Sequence, residues 1–164
     1  MNNKIVWLLV VLVSGNLALT AYLALRPAVL GTTASKVVDK SVISESKAND
    51  LAKGVVALYN KNDPIELYAK LDNIARVQIS QEQLTQQIQK LHSLLGEVSN
   101  YAYTDSELGG TSEGRTFYIV NYQVALSGGS FAHGTLKLTF VKNADGFGLV
   151  GIFINGLDSG AGHQ

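Results

Sequence analysis

Residues 115–155 read RTFYIVNYQVALSGGSFAHGTLKLTFVKNADGFGLVGIFIN, three runs of alternating residues joined by two glycine turns. In the first run one face carries Tyr118, Val120, Tyr122, Val124 and Leu126, and the other includes Asn121 and Gln123. Successive side chains of a strand point to opposite sides, so one face of this run is expected to be buried. Ser127-Gly128-Gly129-Ser130 has the chemistry of a hairpin turn. The returning run sets Leu136, Leu138 and Phe140 against His133, Thr135, Lys137 and Thr139, which places His133 toward water or a shallow groove. Asn143-Ala144-Asp145-Gly146 makes the second turn. The last run, 147–155, is apolar on both faces through Leu149, Val150, Ile152, Phe153 and Ile154, and a strand of that kind is expected to lie centrally or to be covered twice.

Upstream of this sheet, Tyr101 and Tyr103 mark a first strand over 98–104, and Gly109, Gly110 and Gly114 mark a loop over 106–114. Before that the period changes to that of helices. Leu51, Ala52, Val55, Leu58 and Tyr59 form the stripe of an amphipathic helix starting near Ala48. Asp63-Pro64-Ile65-Glu66 is a start signal, with a capping Asp, a Pro at the first helical position and a Glu placed for a capping box. Ile65, Tyr68, Leu71 and Ala75 continue it as a second, short helix. Ser80 and Gln83 repeat the capping logic for a third helix, with Leu84, Ile88, Leu91 and Leu95 on one face and Gly96 as its stop. Its glutamine-rich face reads as solvated surface, and His92 beside the apolar stripe reads as a packed structural residue.

At the other end, residues 5–25 (IVWLLVVLVSGNLALTAYLAL) carry no charge and lie between Lys4 and Arg26. As a helix they would extend about 31 Å, enough to cross a hydrocarbon core of about 30 Å. A secretory signal has a shorter apolar region and ends in a small-x-small site, so the length favours an uncleaved anchor. Either reading exports the rest of the chain, which would be secreted if the segment is cleaved. The expected organisation is therefore an anchor or signal over 1–26, a linker over 27–45, a domain over 46–157 and a flexible tail over 158–164. The protein is expected in an inner or plasma membrane, crossing once, with the domain extracytoplasmic. The expected fold class is α+β: the transmembrane helix, then three helices packed on a bent antiparallel sheet of about four strands.

Composition narrows the functional classes. Lys+Arg and Asp+Glu number 13 each, and the arginines (Arg26, Arg76 and Arg115) are far apart in sequence, so a phosphate-binding surface has no visible source and nucleic acid is not an expected partner. The 164-residue chain contains no cysteine, which removes disulfides, thiol nucleophiles and cysteine metal sites. Residues 146–151 spell G-x-G-x-x-G, but the dinucleotide fingerprint needs a strand before it and a helix after it, whereas these glycines fall in a turn and within a strand. No G-x-S-x-G elbow is present. Asp72, Glu97 and Asp105 do not converge on a site in the sequence and read as surface carboxylates. Tyr101, Tyr103, Tyr118 and Tyr122 can line a pocket or pack as core. Of these, Tyr118 and Tyr122 are the candidate ligand-binding residues; no catalytic, cofactor or metal residue is assigned, and no cofactor is expected.

The short capped helix from Asp63 to Leu71, the Ile-Ser-x-Glu-x-Leu segment from Ile79 to Leu84, the Leu95-Gly96 stop and the closing strand pair resemble the nuclear transport factor 2-like superfamily, with its cystatin-like cone, and its small bacterial domains of unknown function. The resemblance covers about 46–156. It implies a strongly bent antiparallel sheet wrapped around helices, often with a pocket between them. Some superfamily members are isomerases or dehydratases that use an Asp base with Tyr or His partners, a set that does not map onto this chain. Single-span assembly proteins of type IV secretion systems resemble it in layout. The leading expectation is a membrane-tethered, non-catalytic binding or scaffold module for a partner protein or a small apolar ligand. The alternatives are a small-molecule isomerase or hydrolase with a pocket between sheet and helices, and a structural module that self-associates.

Overall fold

The computed structural model describes residues 42–157. The proposed span at 5–25, most of the linker and the tail at 158–164 lie outside the described residues. Among the described residues no helix is long and apolar enough to cross a membrane.

Among the described residues four helices precede four strands: α1 (Glu45–Asn60), α2 (Pro64–Lys70), α3 (Asn73–Arg76), α4 (Gln81–Leu95), β1 (Gly96–Ser112), β2 (Arg115–Gly128), β3 (His133–Asn143) and β4 (Gly146–Leu157). The strands form one antiparallel sheet in the order β1-β2-β3-β4. Each helix starts where a short polar side chain can accept a backbone N–H. Ser44 caps α1, Asp63 caps α2, Asp72 caps α3, and Ser80 with Gln83 completes a reciprocal capping box at α4. The α4 stripe Leu84, Ile88, Leu91 and Leu95 is buried as its period requires. It meets Val120, Tyr122, Val124, Leu126, Leu136, Leu138 and Phe140 from the inward face of β2 and β3, and α1 adds Ala48, Ala52, Val55, Val56 and Tyr59 to the same core. His133 and Lys137 are exposed on the other side of β3, as their phase predicts.

The structure departs from the expected organisation at three places. The second helix stops at Lys70 instead of running on to Ala75, so the described residues hold four helices where three are expected. Leu71 turns extended (ψ 141°) and forms an isolated bridge to Leu149, the Asp72 N–H donates to the Leu149 carbonyl, and a new helix begins after Asp72. A helix here would cost that contact with the open edge of β4. Secondly, the glycine loop expected over 106–114 is strand. β1 continues to Ser112 and reverses through Glu113 (φ 51°) and Gly114 (φ 73°), two positive φ values in succession, as a tight two-residue hairpin requires. Register shifts near Ser99, Thr104 and Gly109 break its alternation.

The third departure concerns β4, which is the edge of the sheet and not central. Its two apolar faces are one face that changes phase. Thr139 pairs with Gly151 and Phe140 with Leu149, which leaves Val150 as an extra residue. Leu149 before this bulge and Ile152 and Ile154 after it are all buried, although they differ in parity. Phe153 is left on the outside, 40% exposed. The glycines of 146–151 are explained locally: Gly146 (φ 135°) closes the turn, and Gly148 leaves room for the Asp72 carboxylate, which a Cβ there would strike.

Candidate functional site

β1 supplies Tyr101 and Tyr103, and β2 supplies Tyr122 on the same inward face, with Tyr103 directly opposite Tyr122 in the register. The rings are not stacked. Tyr101 meets Tyr122 with centroids 5.6 Å apart and planes at 83°, and Tyr103 meets it at 6.0 Å and 76°, so they form the walls of a corner. Tyr122 is 1% exposed, whereas Tyr101 and Tyr103 are half-buried and packed against the core. The buried Tyr122 hydroxyl has no hydrogen-bond partner. Burial pushes its ionisation well above the usual tyrosine range, with further contributions from Tyr101, Tyr103 and Glu45.

Helix α1 lies along this wall, held at both ends. At its C-terminal end the Asn60 side chain imitates a neighbouring strand, donating to the Val98 carbonyl at 2.9 Å and accepting the Val98 N–H at 2.9 Å. At the other end buried Ser106 accepts the Ile43 N–H at 2.9 Å and donates to the Ile43 carbonyl at 3.0 Å, while Val42 N–H reaches the Ser106 carbonyl. The Tyr103 hydroxyl lies 3.1 Å from both the Ile43 carbonyl and Ser106 Oγ and donates to one at a time. The path from Asn60 back to Ile43 is about 25 Å at helical rise. Val98 to Ser106 is about 26 Å at strand rise, so the two tracks run in step. At those rises Asn49 is level with Tyr103 along the strand, and Glu45, one turn further toward the start of the helix, with the residues after it. Both belong to the helix stripe that also holds Ala52, Val56 and Asn60. The Asn49 Oδ1 is buried without a partner, and exposed Glu45 adds least among the causes that raise the Tyr122 ionisation.

A second polar group lies deeper. Tyr59 donates to the Gly96 carbonyl at 2.9 Å and packs against His92 with ring centroids 5.6 Å apart. Burial pushes the Tyr59 hydroxyl up to about 12. His92 Nε2 is buried without a partner, in keeping with a packed residue held by its ring.

Of the two tyrosines singled out from sequence, Tyr122 is the centre of the corner. Tyr118 is four residues away on the same strand face, half-buried, and packs edge-on against Phe147 at 5.5 Å. It belongs to the opposite end of the sheet. The carboxylates are dispersed: Asp72 caps α3 and accepts from Asn143 at 2.7 Å, Asp105 accepts from Asn121 at 2.7 Å, and Glu97 is exposed at the start of β1. Among the described residues no group of three His, Asp or Glu side chains is placed to hold a metal ion. Glu45, Asn49 and Ser106 were missed from sequence. The Glu45–Asn49 spacing beside Ala52 and Val56 on one helix stripe is the signal for the first two; Ser106 lies in a segment whose glycines predict a loop.

No family model matches the chain, and no curated protein sequence matches it. Among solved structures it is similar to a protein of unknown function with a cystatin-like fold from Nostoc punctiforme PCC 73102, at 12% identity and a TM-score of 0.48, over 74% of this chain and 97% of that one.

Proposed function

We propose that this protein is a membrane-tethered binding module, holding a small ligand in the corner between α1 and the β1–β2 end of the sheet. The observation that carries the reading is the Tyr122 hydroxyl, fully buried, unpartnered, and bounded by Tyr101 and Tyr103. A buried hydroxyl left without a partner costs about 1–3 kcal/mol, and a ligand atom that bonds it recovers that cost. Aromatic walls with a few placed polar groups are what small-molecule sites are made of. The ligand of this reading has an apolar body and a polar end, which refines the apolar ligand expected from sequence.

The tether is the uncharged segment at 5–25, long enough to span, with the domain on the extracytoplasmic side. An enzyme reading would need a base among the tyrosines. The carboxylate that acts on Tyr122 among the described residues is Glu45, which is exposed, and the histidine nearest in character, His92, packs on Tyr59. Binding without chemistry is therefore preferred. Native mass spectrometry of the full chain released from membranes in mild detergent tests it. A bound small molecule that is lost in Tyr122→Phe supports the reading; a ligand retained by that variant, or none from any growth condition, sinks it.

A further inference from the structure

We infer that the free edge of β4 pairs with the same edge of a second copy, antiparallel about a two-fold axis at Asn155, so that two sheets join into one. This contact is independent of the tyrosine corner. The two edges of the sheet are closed to different extents. Along β1, α1 and the residues before it hold the edge at two points, Asn60 on Val98 and Ile43 on Ser106. Along β4, among the described residues, the edge is engaged at Leu149, by Leu71 and the Asp72 N–H. In an antiparallel ladder alternate residues turn their N–H and C=O away from the neighbouring strand. Counted from the two-residue turn that pairs Asn143 with Gly146, Leu149 is such a residue, in agreement with its bond to Asp72. Past the bulge at Val150 the next are Ile152, Ile154 and Gly156, and no backbone hydrogen bond from another described element reaches them.

Edges are ordinarily guarded by charge, proline or a bulge in the exposed stretch. β4 has no charged residue and no proline, and its bulge lies before the free stretch. Its outer face instead sets Phe153, 40% exposed, and Leu157, 41% exposed, on either side of Asn155. That spacing is self-complementary. With the axis at Asn155, Phe153 of each copy meets Leu157 of the other, and both exposed apolar side chains are covered at once. Ile154 of each copy then faces Gly156 of the other as a hydrogen-bonded pair, exchanging both N–H···O bonds. An axis at Phe153 would bring the second Leu157 level with Leu149, whose carbonyl is already taken, and one at Ile154 would set Phe153 against Asn155. Charge does not oppose the contact. Lys137, beside Phe153 on β3, lies about 20 Å from its counterpart by strand spacing and rise, beyond the screening length at physiological salt. The tether proposed at 5–25 holds copies in one plane, which raises their effective concentration for such a pairing.

The chain contains no cysteine, so single cysteines in the full chain report the contact in intact cells. Asn155→Cys lies on the axis in a non-hydrogen-bonded pair, its Cα about 4.5 Å from its counterpart and within disulfide reach. Phe153→Cys lies about 13 Å from its counterpart but directly opposite Leu157→Cys. Oxidation with copper phenanthroline and a non-reducing gel are expected to give an Asn155→Cys dimer and a mixed dimer when Phe153→Cys and Leu157→Cys are co-expressed. Either of these alone, or Lys137→Cys, is expected to crosslink at least about fivefold less, and Phe153→Lys in the Asn155→Cys chain to cut its dimer about tenfold. An Asn155→Cys yield no greater than that of Lys137→Cys sinks the proposal. A Phe153→Cys dimer stronger than that of Asn155→Cys refutes the axis. An adduct with a protein of another mass gives the edge to a foreign strand, and a dimer that forms only after deletion of residues 158–164 gives it to the chain's own tail; either result overturns the second copy as occupant. All four substituted side chains are exposed, and far-ultraviolet circular dichroism confirms that the variants compared are folded.

Discussion

Replacing Tyr122 by Phe and, separately, Tyr59 by Phe removes one oxygen from each of two fully buried rings, with opposite expected consequences. The Tyr59 hydroxyl donates to the Gly96 carbonyl at 2.9 Å, where α4 hands over to β1. Its loss forfeits a buried hydrogen bond and leaves an acceptor without that donor, costing about 1–2 kcal/mol. The Tyr122 hydroxyl has no partner, so Phe keeps the ring contacts with Tyr101 and Tyr103 and removes only a desolvated group. That change is expected to stabilise the ligand-free protein by about 1–2 kcal/mol. The gap between the two variants is then about 2–4 kcal/mol for the same chemical deletion. For a domain of this size each kcal/mol moves Tm by about 4 °C, well within the reach of calorimetry. Urea unfolding of refolded, ligand-free protein gives the cleaner value, provided the m-value is unchanged. If Tyr122→Phe loses about 1 kcal/mol or more, the hydroxyl has a partner and the corner is not waiting for one. If it gains stability and loses ligand, the tyrosine is kept at a cost to folding, the mark of a functional residue.

Four further outcomes are expected. Gly148→Ala drives a methyl group into the Asp72 carboxylate and destabilises, while in an Asp72→Ala background, already weakened by about 1 kcal/mol through the lost α3 cap, the same change costs less, the remaining strain being the tight contact with the Cβ of residue 72; a double-mutant cycle by urea unfolding reads the coupling. Ser106→Ala strands the Ile43 N–H and costs about 2 kcal/mol, with faster hydrogen exchange at Ile43 and a destabilised start of α1 as its local signature. The Tyr59 hydroxyl, raised by burial from 10.0 to about 12, makes the folded state hold its proton more tightly than the unfolded chain, so its contribution is complete below pH 10 and is lost as pH rises from 10 toward 12. Tyr59→Phe flattens unfolding midpoints over that window. Because the chain contains no cysteine, a single cysteine placed at exposed Ser99 reports topology directly: an impermeant maleimide labels it in intact spheroplasts if the domain lies outside, and only after lysis if it lies inside.

Where local chemistry and tertiary packing agree, the elements could be read from residues alone. The box of Ser80 and Gln83, the stop at Gly96 and the alternation from Tyr118 to Leu126 all stand where the sequence places them. The errors share one cause, a backbone that changes phase or partner for reasons located elsewhere. Val150 bulges out of β4 and makes a one-sided strand look two-sided, and the register shifts of β1 disguise a long strand as a loop. Leu71 and Asp72 leave a helix to bond Leu149 of β4, far downstream in the sequence. The site was legible to a lesser degree. Tyr122 carries the right pattern, but an aromatic on a buried face signals core as readily as pocket, and only the missing partner of its hydroxyl separates the two. Asn49 and Glu45 become meaningful only when both ends of α1 are fixed to β1.

The clasp at Ser106 gives the domain a mechanical polarity. If the chain arrives from a membrane span, tension along the linker reaches the fold at Val42 and Ile43, where it meets the hydrogen bonds to Ser106 and the hydroxyl of Tyr103 before it reaches any helix. Tyr103 is also a wall of the corner. The load path and the binding surface thus share a residue, so a pull that peels Ile43 away frees the Tyr103 ring on the same stroke, and a ligand that pins the ring stiffens the attachment. A domain hung in this way would bear tension differently when empty and when filled.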